Sequence, residues 1–140
     1  MIRYYAKEDR TLRELEAPQP GCWINISPPF SHEELEEMAQ QFEIPLDFLT
    51  DSLDIDERSR YEREDDIRLI VVNTPILNEI EEENDAIYIT VPIGIILTPD
   101  QMITITAYES PVLQLFLDGK VRGFNPHDES SFVLQIMEQN

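Results

Sequence analysis

Three aspartates, Asp47, Asp51 and Asp54, stand four and three residues apart. In a helix that spacing stacks them on one face, with Leu46, Leu49 and Leu53 on another. Pro45 stands where such a helix begins, a position that tolerates its missing N–H. Asp56 and Glu57 follow at once. Stacked carboxylates repel one another, so something outside the helix meets that face: water, a cation or another subunit. Their oxygens are hard donors. Magnesium keeps most of its waters and takes one or two carboxylates, a demand this face meets. Binding there is weak, because one helix face cannot surround an ion. A calcium loop does not fit. Asp54-Ile55-Asp56 begins like one, but Arg58 falls at a ligand position and Ser59 replaces the required glycine. Two other readings use the same residues. One is a solvated acidic face that keeps the protein in solution. The other is a soluble acidic interaction module that captures a basic partner, with Glu79 to Asp85 as a second patch.

Other chemistries find no residues to work with. The chain has two histidines, His32 and His127, and one cysteine, Cys22. No nucleophile, base and orienting acid form a set among them, and no Cys/His spacing suits zinc. The four glycines do not cluster into a phosphate loop. Cys22, between Gly21 and Trp23, leads an apolar strand and reads as a buried structural thiol. The chain reads as no enzyme. Ten basic residues against 29 acidic ones give a formal charge of -19. No basic patch exists to displace counterions from nucleic acid or to dock on anionic lipid.

These residues need a scaffold, and 140 residues, 41% of them apolar, suffice for one domain with a real core. Ile2 to Tyr5 and Thr11 to Leu15 form a leading hairpin, and Cys22 to Ile26 a strand. Ser31 and Glu34 make a capping box for an amphipathic helix from Ser31 to Phe42. The alternation around Arg58, Arg60 and Arg63 predicts an edge strand. Leu69-Ile70-Val71-Val72, inside a strand from Ile67 to Asn73, suits a central strand covered on both faces. Glu79 to Asp85 is an acidic hairpin tip. Tyr88 to Thr98 returns as a long strand in which Pro92 demands an edge or a bulge. Thr98 to Gln101 is a turn, and Met102 to Thr106 the next strand. Ser110-Pro111 starts a helix through Leu117, closed by Asp118-Gly119. Phe124 to His127 is a loop, and a last helix runs through Phe132, Val133, Ile136 and Met137. That helix is still apolar on one side at Asn140, so the chain is expected to be cut within an element. No segment reaches the ~18 apolar residues of a membrane helix, and MIRYYAKEDR has no apolar leader core, so a cytosolic location is expected. The order predicts an α/β (α+β) domain over residues 1–140, a mixed β-sheet sandwiched between helices.

In this order, the residues resemble a family. Trp23-Ile24-Asn25-Ile26, the capped helix, Phe42-Glu43-Ile44-Pro45-Leu46 with Asp51 and Leu53, and Arg58 and Glu62 come first. Leu69 to Val72 and the pair Ile95-Ile96-Leu97-Thr98 and Met102-Ile103-Thr104 follow. The chain resembles the N-terminal cytoplasmic domain of CorA-type magnesium transporters over nearly its whole length. The family's Gly-Met-Asn signature and its membrane helices are not in this sequence. The resemblance implies a stalk helix after this segment, a homopentamer around a membrane pore, and transport of magnesium, with cobalt, nickel or zinc as related cargo. It further implies a regulatory Mg2+ site between neighbouring subunits, with Asp51 as one ligand and the stalk helix supplying the other. The family often has a glutamate just before that aspartate, where this chain has Thr50, leaving Asp47 or Asp54 to substitute. The family's Arg-Pro pair is Arg58-Ser59 here.

Overall fold

The computed structural model describes residues 1–8, 11–79, 86–118 and 134–136. Seven strands form one sheet, β1 (Ile2–Glu8), β2 (Thr11–Leu15), β3 (Trp23–Ile26), β4 (Arg60–Glu64), β5 (Ile67–Glu79), β6 (Ala86–Leu97) and β7 (Met102–Thr106). Their order across the sheet is β2-β1-β3-β7-β6-β5-β4. β3 and β7 run parallel at its centre and every other pair is antiparallel. Between β3 and β4 come α1 (His32–Gln41) and α2 (Leu46–Asp51), and α3 (Pro111–Leu117) follows β7.

Helices cover both faces, as expected of a sheet apolar on both sides. Ile24, Ile26, Leu69, Val71, Ile96, Ile103 and Ile105 meet Leu35 and Met38 of α1 and Phe48 and Leu49 of α2. On the opposite face Trp23, Ile93, Ile95 and Met102 meet Val112, Leu113 and Phe116 of α3. Residues 134–136 are helical, and Ile136 is buried in that second cluster. Alternation along β5 feeds both layers. Leu69 and Val71 enter the first cluster, while Ile70 and Val72 pack against the second.

Local chemistry sets the boundaries. Ser31 Oγ accepts from the Glu34 N–H at 3.1 Å and the Glu34 carboxylate returns the bond, so the capping box starts α1 as the sequence predicts. Ser110 Oγ caps α3 the same way, with Pro111 in its first turn. β4 is the expected edge strand. Pro92 stands one residue beyond the last β6–β7 pair, Ile93 with Thr106, so β6 is an edge on that side there.

Several expectations change. β1 runs on to Glu8. β5 does not stop at Asn73 but passes through Pro75 to Glu79. β4 pairs only as far as Val71, so beyond that point β5 has an open side and a proline there costs no ladder bond. β5 and β6 thus leave the sheet as a two-stranded ribbon, paired down to Glu79 with Ala86. The rest of the acidic tip, Gly119, the Phe124 to His127 loop and most of the last helix lie outside the described residues.

Candidate functional site

α2 is six residues long and follows α1 after a short turn. Glu43 adopts a positive φ of 54° in that turn, and the Ile44 N–H returns to the Ala39 carbonyl at 2.9 Å. Pro45 then fixes the start of α2. So short a helix has little stability of its own. Phe48 and Leu49, both fully buried, hold it against the sheet, and Leu46 and Leu53 flank them.

Its end is fixed by contact with β6. Ser52 is fully buried, and its Oγ donates to the Phe48 carbonyl at 2.6 Å. Directly beneath lies Gly94. A Cβ there would stand 2.1 Å from Ser52 Oγ and 2.4 Å from Ser52 Cβ. Glycine at 94 therefore lets the end of α2 rest on the sheet, and with it Asp51.

The structure separates the three aspartates. Asp47 and Asp51 belong to α2, Asp47 exposed and Asp51 partly so. Asp54 does not continue their face, because α2 ends at Asp51. It lies in the turn that follows, where its Oδ1 accepts from the Asp56 N–H at 2.9 Å and its carbonyl accepts from the Glu57 N–H. An aspartate in that local bond favours a turn over a further helical turn. Among the described residues no group of three or more His, Cys, Asp or Glu side chains is placed to hold a metal ion.

Asp51 instead meets a cation from its own chain. Arg60, first residue of β4, places Nη2 3.0 Å from Asp51 Oδ2. The same guanidinium lies 3.5 Å from Glu57 and 3.4 Å from Glu62. Burial of the guanidinium pulls its pKa down. The Asp51 bond and the charges of Glu57 and Glu62 outweigh that and hold it above its ordinary value. Three carboxylates around one guanidinium leave a net charge of -2, with Asp47, Asp54 and Asp56 close by in sequence. Pairs this exposed contribute little stability, on the order of 0–1 kcal/mol each. Their effect is placement: Arg60 fixes one oxygen of Asp51. Sequence reasoning set Arg60 on an edge strand without giving it a partner. Nine residues separate it from Asp51, and no local period links a helix end to a strand start.

The donor set offers oxygens from one side only. Its oxygens are hard, Asp51 is partly open to solvent, and uncompensated negative charge surrounds it. It does not fit a cage of protein ligands.

The molecule is a mixed sheet covered by helices on both faces, with an acidic helix end at its surface. Comparison with known proteins names the kind. The chain belongs to the family of CorA-like Mg2+ transporter proteins, whose sequence model matches residues 19–140. Its fold is similar to the soluble domain of CorA from Methanocaldococcus jannaschii, at 20% identity and a TM-score of 0.77 over 99% of this chain and 55% of that one. It is also similar to the complete CorA magnesium transporter of the same organism, at 19% identity and a TM-score of 0.70 over 99% of this chain and 44% of that one. The chain thus spans about half the length of the solved chains it matches. No curated protein matches it. Among the described residues no helix is long and apolar enough to cross a membrane.

Proposed function

We propose that the chain is the cytoplasmic, divalent-cation-sensing part of a magnesium transporter, and that it acts as one subunit of a homopentamer in the membrane. The observation that carries the proposal is the placement of Asp51. It lies at the surface end of α2, one oxygen held by Arg60, within a cluster that keeps a net charge of -2. In a ring of such subunits, Asp51 and Asp47 face carboxylates of a neighbour, and their repulsion loosens the ring. Bound magnesium supplies positive charge between the facing groups and favours the closed arrangement. It shifts that balance only by its difference in affinity for the two states. α2 is pinned to the sheet by Phe48, Leu49 and the Ser52–Gly94 contact. A push on Asp51 therefore moves the domain as a body. Cobalt, nickel and zinc carry the same charge and are the competing ions to test as cargo.

The test uses the full-length transporter in liposomes, with magnesium influx followed against internal magnesium. Asp51→Asn keeps the shape and the Arg60 contact but removes the charge, and should move the shut-off to higher magnesium. Shut-off at the wild-type level would remove Asp51 from the sensor. The 140-residue chain alone should bind magnesium weakly and show little thermal shift, because one acidic face is half of the proposed site.

A further inference from the structure

The second face of the sheet is apolar at one end and polar at the other. Register places Arg3 of β1, Asn25 of β3 and Thr104 of β7 side by side, with Thr106 two residues further along β7 on the same face. Trp23 Nε1 donates to Thr104 Oγ1 at 2.8 Å, and Thr104 Oγ1 donates to Asn25 Oδ1 at 2.8 Å. That chain of bonds satisfies the carbonyl end of the Asn25 amide and leaves its NH2 end. Asn25 is 7% exposed, and its amide nitrogen donates to nothing among the described residues. Thr106 is 2% exposed, and its hydroxyl likewise makes no hydrogen bond among the described residues. Both atoms are reached by solvent, and both residues line the same cavity.

The cavity has a volume of about 490 Å³ and lies between this polar end of the sheet and α3. Its size is that of a small-molecule site. Arg3 borders it, with Glu14 at 3.7 Å and the Tyr5 phenol as its neighbours. Leu113 and Leu117 of α3 supply an apolar wall, and the exposed Glu109 stands among the lining residues. The amide N–H groups, the hydroxyl and the guanidinium are donors, which selects an anionic acceptor. Glu109 disfavours a doubly charged one, and the leucines favour an apolar body. We infer that this cavity binds the carboxylate of a small apolar organic acid, with Asn25, Thr106 and Arg3 holding the carboxylate and Leu113 and Leu117 the body. The site lies on the sheet face opposite α2 and Asp51 and stands independently of the cation reading.

The test is an NMR titration of the isotope-labelled chain with sodium benzoate and sodium hexanoate, against sodium chloride at equal ionic strength. The side-chain amide of Asn25 and the backbone amides of Thr106 and Leu113 should shift saturably with either acid. Arg3→Gln should weaken binding about tenfold and Thr106→Val about fivefold, the range for a charged and a neutral hydrogen bond. Arg3 is half exposed on its strand, so that variant keeps the fold even if Thr106→Val does not. No saturation with either acid would overturn the inference and leave the cavity to water. Binding that Arg3→Gln leaves unchanged, or equal binding of inorganic phosphate at the same amides, would overturn it as well.

Discussion

Gly94→Ala adds a single methyl group at the point where α2 rests on β6. The new carbon would lie 2.1 Å from Ser52 Oγ, 2.4 Å from Ser52 Cβ and 2.9 Å from Ile105 Cγ2. All three distances fall well inside van der Waals contact. Ser52 cannot swing aside, because it is fully buried and its hydroxyl is bound to the Phe48 carbonyl at 2.6 Å. Ile105 is also fully buried, in the strand next to β6. Relief requires α2 to lift, which opens the packing of Phe48 and Leu49. Overpacking of a tight core costs about 1–3 kcal/mol, and with two rigid neighbours the upper figure applies. For a chain of this length about 3 kcal/mol lowers the melting temperature by roughly 10 °C. Urea unfolding of wild type, Gly94→Ala, Ser52→Gly and the double variant measures both the cost and its origin. Ser52→Gly removes the two nearest atoms, so Gly94→Ala should cost at least about 1 kcal/mol less in that background. A loss under about 0.5 kcal/mol in the single variant, or the same loss in both backgrounds, would refute the close approach. Because α2 carries Asp51, its resonance should shift in Gly94→Ala even though Asp51 is chemically unchanged.

Two further outcomes follow from the other face and from ionisation. Thr104→Val removes the acceptor for the buried Trp23 indole N–H and the donor to Asn25 Oδ1, so about 2–4 kcal/mol of stability should be lost, read from the urea midpoint. A loss within about 0.5 kcal/mol would mean that the bonds contribute nothing net. Burial pushes the Cys22 thiol above its ordinary 9.0 and the Tyr4 and Tyr5 phenols above their ordinary 10.0. The fold keeps the neutral forms, so their contribution is full below those ordinary values and is lost as pH rises through the raised folded ones. The urea midpoint should therefore fall between pH 9 and pH 11 by more than it changes between pH 7 and pH 8, and Cys22 should resist alkylation until the chain unfolds.

Much of the scaffold was legible because its signals are local. Ser31 with Glu34, Ser110 with Pro111, and the short turn at Thr98 to Gln101 each act within a few residues, and the structure places the expected elements at all three. The run Leu69 to Val72 announced a strand covered on both faces, since a side-chain period of two cannot hide four consecutive apolar residues any other way. Pro92 announced an edge. The strand expected from Ile67 to Asn73 runs on through Pro75 to Glu79, because whether a proline costs a ladder bond depends on where the neighbouring strand stops. That is set by the pairing of β4 and not by β5.

The candidate site divides along the same line. From residue types and spacing alone, the sequence determined a strongly acidic chain, a short helix bearing Asp47 and Asp51, and an order of elements that fits its family. Only the tertiary structure decided that Asp54 leaves the helix, that Arg60 arrives from a strand to hold Asp51, and that Gly94 makes room for the end of the helix. It also brought Arg3, Asn25 and Thr106 from three strands to one cavity. Helical and strand periods are properties of a single segment and can be read from it. Contacts between segments depend on register and packing, and residues such as Asp51 and Arg60 carry no mark of each other until the sheet is assembled.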